Sequence, residues 1–238
     1  MILMRQRVRT MKQSLYLALA ILGCAAPFVA ADQSSAPGPW RSLLEDHGAP
    51  AWRGWNEPGL PAGWHVEGGV VSKDGKVDDL VTTDTFGNFE LELEWKIGKA
   101  GNSGIFYRGT REYDHIYWSA PDYPLLDDEN TEDGKSRLTA AGSDYALYGA
   151  PAGAVLPYDH WNKTRLVVRG NHVEHWLNGK KVLDYDLGSG EVKAAIAKSK
   201  YKDLPGFGTK KTTPILLQDH GLEVWFRNVR VREEKDGK

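Results

Sequence analysis

The stretch "FELELEWKI", Phe89 to Ile97, alternates large apolar and charged residues almost to its end. Phe89, Leu91, Leu93 and Trp95 fall on one side, and Glu90, Glu92 and Glu94 on the other. Successive side chains of a strand point to opposite faces, so this pattern buries one face and wets the other. The same period of two recurs after Trp64 in "SGIFYRG", "RLVVRG", "HVEHWLNG" and "EVWFRNVRV", each bounded by Gly or Asn. "RGNHVEHWLNGKKVLDYDL" reads as consecutive hairpins, with Asn178-Gly179 a strong signal for a type I′ turn. "ILLQDHGLEVWFRNVRV", Ile215 to Val231, reads as strand, tight turn, strand. Only Glu191 to Lys200 has a helical look, with Ser189 placed to cap it. Short strands with turns every ~8–12 residues predict an all-β fold, a two-sheet antiparallel sandwich with one short helix.

The first residues follow a different logic. Arg5, Arg7, Arg9 and Lys12 precede an apolar run, Leu15 to Gly23, too short to span a bilayer. Small residues follow, and "VAAD" offers a cleavage point after Ala31, so residues 1–31 read as a secretory signal peptide. "ILGC" also resembles a bacterial lipobox, which would anchor the chain through a lipidated Cys24. Either route predicts an exported protein, periplasmic or extracellular. Cys24 is the one cysteine of the chain, so the exported domain has neither a disulfide nor a thiolate nucleophile. Residues 32–51, rich in Pro and Gly, read as a linker, and residues 52–235 as a single β-sandwich domain.

The 30 basic and 32 acidic residues nearly cancel and form no basic stripe, which argues against a nucleic-acid partner. Nine Trp and ten Tyr suit either a sandwich core or a sugar site, because aromatic faces stack on the apolar faces of sugar rings. Glu92 and Glu94 are a candidate pair for a retaining glycosidase, since residues two apart on a strand supply roughly the ~5 Å that mechanism needs. The same glutamates serve equally to solvate an outer strand. "DDENTEDGK", Asp127 to Lys135, begins with calcium-loop spacing and then departs from it at Gly134 and Thr139, so it reads as an acidic surface loop. His172 and His175 are an odd number apart and would point to opposite faces of a strand. In "LLQDHG", alternation sends Gln218 and His220 to one face and Leu217 and Asp219 to the other. His220 is thereby a candidate proton carrier, or else a brace for the sheet.

Five pieces in order, "FELELEWKIGKAGNSGIFYRG", "LLDD…LTAAGSDYALYGAP", "HWNKTRLVVRGNHVEHWLNGKKVLDYDL", "PGFG" and "ILLQDHGLEVWFRNVRV", resemble the 3-keto-disaccharide hydrolase family over roughly Trp52 to Arg232. The resemblance implies a concanavalin A-like jelly roll with a sugar site on one face. It implies a substrate already oxidised at C3. The ketone acidifies the C2 proton, a base removes it, the C1 group leaves, and water adds to the enone. Matched position by position, it implies Asp127, His220 and Arg108 as catalytic groups. It implies Asn102, Ser103, Asp122, Tyr148, Trp161, His175 and Gln218 as substrate contacts. Asp127 and Asp128 are the candidate ligands of a divalent cation such as calcium. The chain departs from the family around "PDYPLLDD", where Asp122 stands for Glu, Pro124 for Gln and Asp128 for Asn. A non-catalytic carbohydrate-binding module of the same fold is the alternative function, and a retaining glycosidase the third. The oligomeric state is not legible.

Overall fold

The computed structural model describes residues 37–234. The expected signal peptide, its cleavage point and Cys24 lie outside the described residues.

In chain order the strands are β1 (Arg41–Ser42), β2 (Trp52–Gly54), β3 (Trp64–Glu67), β4 (Val70–Lys73), β5 (Leu80–Thr82), β6 (Phe89–Ile97) and β7 (Asn102–Phe106). They continue with β8 (Asp122–Leu126), β9 (Asn162–Arg169), β10 (His172–Leu177), β11 (Lys180–Asp186), β12 (Leu216–Leu217) and β13 (Val224–Glu233). One α-helix, α1 (Gly190–Lys198), precedes β12, and Ser189 caps it by accepting a hydrogen bond from Val192 N. An eight-stranded sheet runs β11-β10-β9-β6-β13-β4-β3, with β1 also paired to β13. A five-stranded sheet runs β2-β5-β12-β7-β8. Every pairing is antiparallel, which gives the expected two-layer sandwich.

The alternation in β6 works as the sequence dictates. Phe89, Leu91, Leu93 and Trp95 are buried in the layer between the sheets, against Ile105, Tyr123, Leu125 and Leu217 of the smaller sheet. The β9–β10–β11 hairpins form, with Asn178 and Gly179 both at positive φ, as a type I′ turn requires.

The opposite face of β6 is electrostatic. Its neighbours β9 and β13 present arginines at the register of its glutamates. Glu90, wholly buried, accepts from Arg165 (2.9 Å), Arg169 (2.7 Å) and Arg232 (2.7 Å). Glu92 pairs with Arg230, and Glu94 with Arg227 and Asn228. Charge-assisted, forked contacts of this kind hold three strands in register.

Two expectations differ from the structure. The stretch read as a linker enters the fold: β1 pairs with β13, Gly38 N donates to Glu233 O, and Leu43 and Ala49 are buried. Its Pro and Gly residues shape a wrapping segment whose apolar residues still reach the core. Nor do β12 and β13 form a hairpin. β12 belongs to the five-stranded sheet and β13 to the eight-stranded one, so "QDHGLE" crosses between layers.

Glu90→Gln should cost about 2–3 kcal/mol, because a neutral amide leaves three guanidinium groups without their shared charge. Urea unfolding of both proteins measures this, and a difference below ~0.5 kcal/mol would show the lattice to be ornamental to stability.

Candidate functional site

The site is built on the outer face of the five-stranded sheet. Ser103 and Ile105 of β7 point inward, so Asn102, Gly104 and Phe106 point outward. On β8, Asp122 and Pro124 share that outward face, opposite Phe106 and Gly104. Beyond β12, Gln218 N donates to Gly104 O (2.9 Å) and Ser103 Oγ donates to Gln218 O (2.8 Å), which extends the sheet by one residue. Over this floor, Tyr117, Asp133, Tyr145 and Lys200 enclose a hollow of about 250 Å³. A second hollow of about 440 Å³ adjoins it and shares Tyr117, Gln218 and His220.

Asp122 is the chemically distinctive group. Its Oδ1 is buried without a hydrogen-bond partner. Burial pushes its carboxyl well above the usual carboxylate range against the pull of nearby Lys200, and Asp144 and Asp133 push the same way. Lys200 is exposed along its length, yet its amine lies 4.3 Å from the Tyr145 ring centroid and 5.1 Å from that of Tyr201. Loss of water there draws the amine down from its ordinary value, against the attraction of Asp122 and Asp133. Tyr145 donates to Asp133 Oδ1 (2.9 Å), and Asn102 Nδ2 lies 3.4 Å from Asp133 Oδ2. The hollow thus holds a desolvated carboxyl, an ammonium group and a phenol–carboxylate pair, the parts of an acid–base site.

Gly104 makes room for this arrangement. A Cβ there would stand 2.6 Å from Asp122 Oδ1, 3.2 Å from Phe106 Cε2 and 3.4 Å from Gln218 Oε1. His220 is exposed at the seam of the two hollows. Its position is fixed from below by Asp219, whose side chain is 1 % exposed and pairs with Lys73 Nζ (2.8 Å). Asp219 also accepts from Val77 N and Gly221 N, while its own N donates to Asp79 Oδ1. Alternation through "LLQDHG" therefore runs as read, with Gln218 and His220 outward and Asp219 inward.

Of the residues singled out in the sequence, Asn102, Asp122, Gln218 and His220 meet at the first hollow, and Ser103 braces its floor. The grouping of Arg108, Asp127 and His220 in one cavity needs correction. Asp127 sits one step out of phase with Asp122 and Pro124, so its carboxylate turns away from the hollow. It caps the following loop, accepting from Ala100 N, Glu129 N and Asn130 Nδ2. Arg108 would share the face of Phe106 by simple alternation, but its φ of 57° breaks the count. Its buried guanidinium reaches instead toward Asn171 (3.4 Å) at the β9–β10 turn.

Three of the expected sugar contacts also lie elsewhere. Trp161 is on the outer face of the larger sheet, 4.0 Å under the Arg227 guanidinium. Tyr148 packs on Tyr185 at 5.4 Å. His175 is wholly buried, with Nδ1 3.1 Å from Gly142 O and Nε2 3.3 Å from the Tyr107 hydroxyl. Burial pulls its pKa down to about 4, so it stays neutral in the core. Asp128 accepts from Ala141 N and Arg137, and Asp127 from the loop donors above, so both carboxylates brace the acidic loop. The glycosidase pair fares no better. Glu92 and Glu94 are on the far side of the sandwich, and their cationic partners hold both carboxyls below the usual range, where neither can serve as an acid.

The sequence reading missed Lys200, Asp133, Tyr145 and Tyr117. Only proximity to the quoted motifs pointed to them: Tyr145 is inside "GSDYALYG", and Lys200 stands just before "PGFG".

A model of the 3-keto-α-glucoside-1,2-lyase-like domain matches residues 39–232, the span over which the two sheets are built. The chain belongs to this family. The 3-keto-disaccharide hydrolase of Bacteroides thetaiotaomicron is 33% identical over 213 residues, covering 76% of this chain and 73% of that protein. A candidate glycosyl hydrolase of Parabacteroides distasonis, known as a crystal structure, shares 32% identity with a TM-score of 0.75, over 83% of this chain and 94% of its own. The catalytic domain of a laminarinase from Thermotoga petrophila superposes with a TM-score of 0.50 at 13% identity, over 83% of this chain and 99% of its own. That last likeness is one of fold alone. The family match starts at residue 39 and so includes β1, in agreement with the packing of the segment read as a linker.

Two outcomes follow from this geometry. Gly104→Ala should lower activity by at least ~10-fold with little change in melting temperature, because the methyl displaces the Asp122 carboxyl by more than its contacts tolerate. Full activity in that variant would remove Asp122 from the working site. For His175, the folded state binds fewer protons than the unfolded state between about pH 4 and the ordinary 6.5. Its contribution is therefore complete above that window and is lost as pH falls through it. The stability gap between wild type and His175→Gln, from urea unfolding, should shrink by about 2 kcal/mol from pH 7.5 to 4.5. A constant gap would show that the imidazole is not held neutral.

Proposed function

We propose that this protein, a carbohydrate-cleaving hydrolase of its family, acts on 3-keto-glycosides by removing the C2 proton, with Asp122 as the base. The observation that carries this reading is the buried, unpartnered Asp122 Oδ1 in a polar hollow that also holds the Lys200 amine.

A desolvated carboxylate is a strong base, and a carboxyl and an amine that interact across one hollow titrate as a pair. With the shared proton on Lys200, Asp122 takes the proton from C2 of the substrate. The C2–H electrons move into the C2–C3 bond, and the C3 carbonyl becomes an enolate whose oxygen faces the Lys200 ammonium. Cations set in advance toward developing charge are a large source of rate. The enolate reforms the ketone and makes a C1=C2 double bond, expelling the C1 oxygen with its aglycone. His220, at the seam between the hollows, donates the proton to that oxygen as general acid. Water then adds to the enone: its hydroxyl goes to C1, its other proton restores His220, and the Asp122 proton returns to C2. One water is consumed, and the products are the 3-keto sugar and the free aglycone. The chemistry needs no second carboxylate at glycosidase spacing, which accords with the locked state of Glu92 and Glu94.

Asp122→Asn should lower turnover of 3-keto-cellobiose or 3-keto-trehalose by at least ~100-fold, the usual scale for a lost general base. His220→Ala should lower it by a similar factor when the leaving group is a poor one. Asp127→Asn should act through stability, lowering the melting temperature more than turnover per folded molecule. The unoxidised disaccharides should not be cleaved. Sugar release from plain cellobiose, or near-normal turnover in Asp122→Asn, would refute the reading, and binding of keto sugars without release would make the protein a carbohydrate-binding module.

A further inference from the structure

The second hollow has no role in proton removal, and its chemistry differs from that of the first. It is the larger of the two, about 440 Å³ against about 250 Å³. The two meet only at Tyr117, Gln218 and His220. A molecule that fills both must therefore pass His220, the group set to protonate the departing oxygen. Its wall carries a flat pair, His115 stacked on Tyr117 with ring centroids 4.8 Å apart and an interplanar angle of 11°. Such rings take the apolar face of a pyranose, while hydroxyls need acceptors around the edge. Asp78 and Asp79 supply these. Asp78 already accepts from Asn56 N and Nδ2, and Asp79 from Asp219 N, which fixes both carboxyls and leaves lone pairs free. Asp114 stands exposed at the rim. Asp219 also lines the hollow but is neutralised by Lys73, so these three carboxyls face one lysine of the lining, Lys76.

We propose that the hollow around His115, Tyr117, Asp78 and Asp114 is the leaving-group subsite, which holds the second sugar of a 3-keto-disaccharide when that sugar is neutral or carries an amine, and rejects one that carries a carboxylate. This inference rests on the reading of the first hollow as the place where C2 is deprotonated. Discrimination arises from repulsion as much as from attraction: a uronate in this hollow would face carboxyls with a single lysine to offset them. The stacked pair contributes affinity for any pyranose, and the acids set the charge preference.

Three substrates test this in steady-state kinetics: 3-keto-cellobiose, its analogue with glucuronate as the leaving sugar, and methyl 3-keto-glucoside. The wild type should prefer 3-keto-cellobiose to the glucuronate analogue by at least ~30-fold in kcat/KM. The double variant Asp78→Asn, Asp114→Asn should narrow that ratio to within ~3-fold. His115→Ala should lower the ratio of kcat/KM for 3-keto-cellobiose over methyl 3-keto-glucoside by about tenfold, mainly through KM. Asp114 and His115 are exposed, so Asp114→Asn alone is the safeguard if the double variant folds poorly; it should narrow the charge ratio in the same direction. Ratios that stay at their wild-type values in folded variants would overturn the subsite while leaving the first hollow's role intact. A wild type that cleaves none of the three keto-glycosides would instead overturn the parent reading, and the subsite with it.

Discussion

The site depends on one buried ion pair. Lys73 leaves the end of β4 in the eight-stranded sheet, and Asp219 follows β12 in the five-stranded sheet; each side chain is 1 % exposed. Burying two charges costs several kcal/mol per ion, and their attraction offsets this only when the remaining polar atoms are also satisfied. Here they are: Asp219 accepts from Val77 N and Gly221 N, and Lys73 donates to Gly75 O. The pair ties the two layers together where the chain crosses between them. Because Asp219 is held inward, Gln218 and His220 on either side of it must face outward. The seam of the two hollows is thus set by a contact beneath it.

The two outer faces of the sandwich use charge in opposite ways. On the larger sheet every glutamate of β6 meets a guanidinium, and Trp40, Trp161 and Trp176 lie under Arg side chains at 4.0–5.4 Å. The carboxylates of β6 are all paired, which is good for register and useless for proton transfer. On the smaller sheet the Asp122 carboxyl and the Lys200 amine lose water without forming a close ion pair. Asp122 is pushed up and Lys200 drawn down, so both sit closer to the range in which protons move. The paired charges and the desolvated ones are kept on opposite sides of one core.

Most of the fold was legible because alternation is a direct consequence of strand geometry. β6, β7, β9, β10, β11 and β13 appear where the period of two places them, and α1 begins at the capping serine. β8 was obscured by Pro124, which is tolerated because β8 is the last strand of its sheet. The supposed final hairpin failed because a short gap between two strands does not say whether they share a sheet; the burial of Asp219 decides it. Within the site, motif matching singled out Asp127, whose carboxylate caps a loop, while Asp122 is the carboxyl that lines the hollow. Asp127 and Asp122 lie on one strand and its extension, but five residues apart they face opposite ways. The left-handed backbone at Arg108 cannot be read from its residue type. Lys200 and Tyr145 reach the hollow from segments distant in sequence, and no local pattern announces such contacts.

The central claim is that the bond breaks by way of proton loss from C2. The most direct measurement is hydrolysis of 3-keto-cellobiose in deuterium oxide, with the isotope content at C2 of the released keto sugar read against an enzyme-free control over the same time. The account predicts one deuterium at C2 in the product formed by the wild type, placed there when Asp122 returns its exchanged proton. Release of the keto sugar with its original hydrogen at C2 would contradict it, since that outcome belongs to direct displacement at C1.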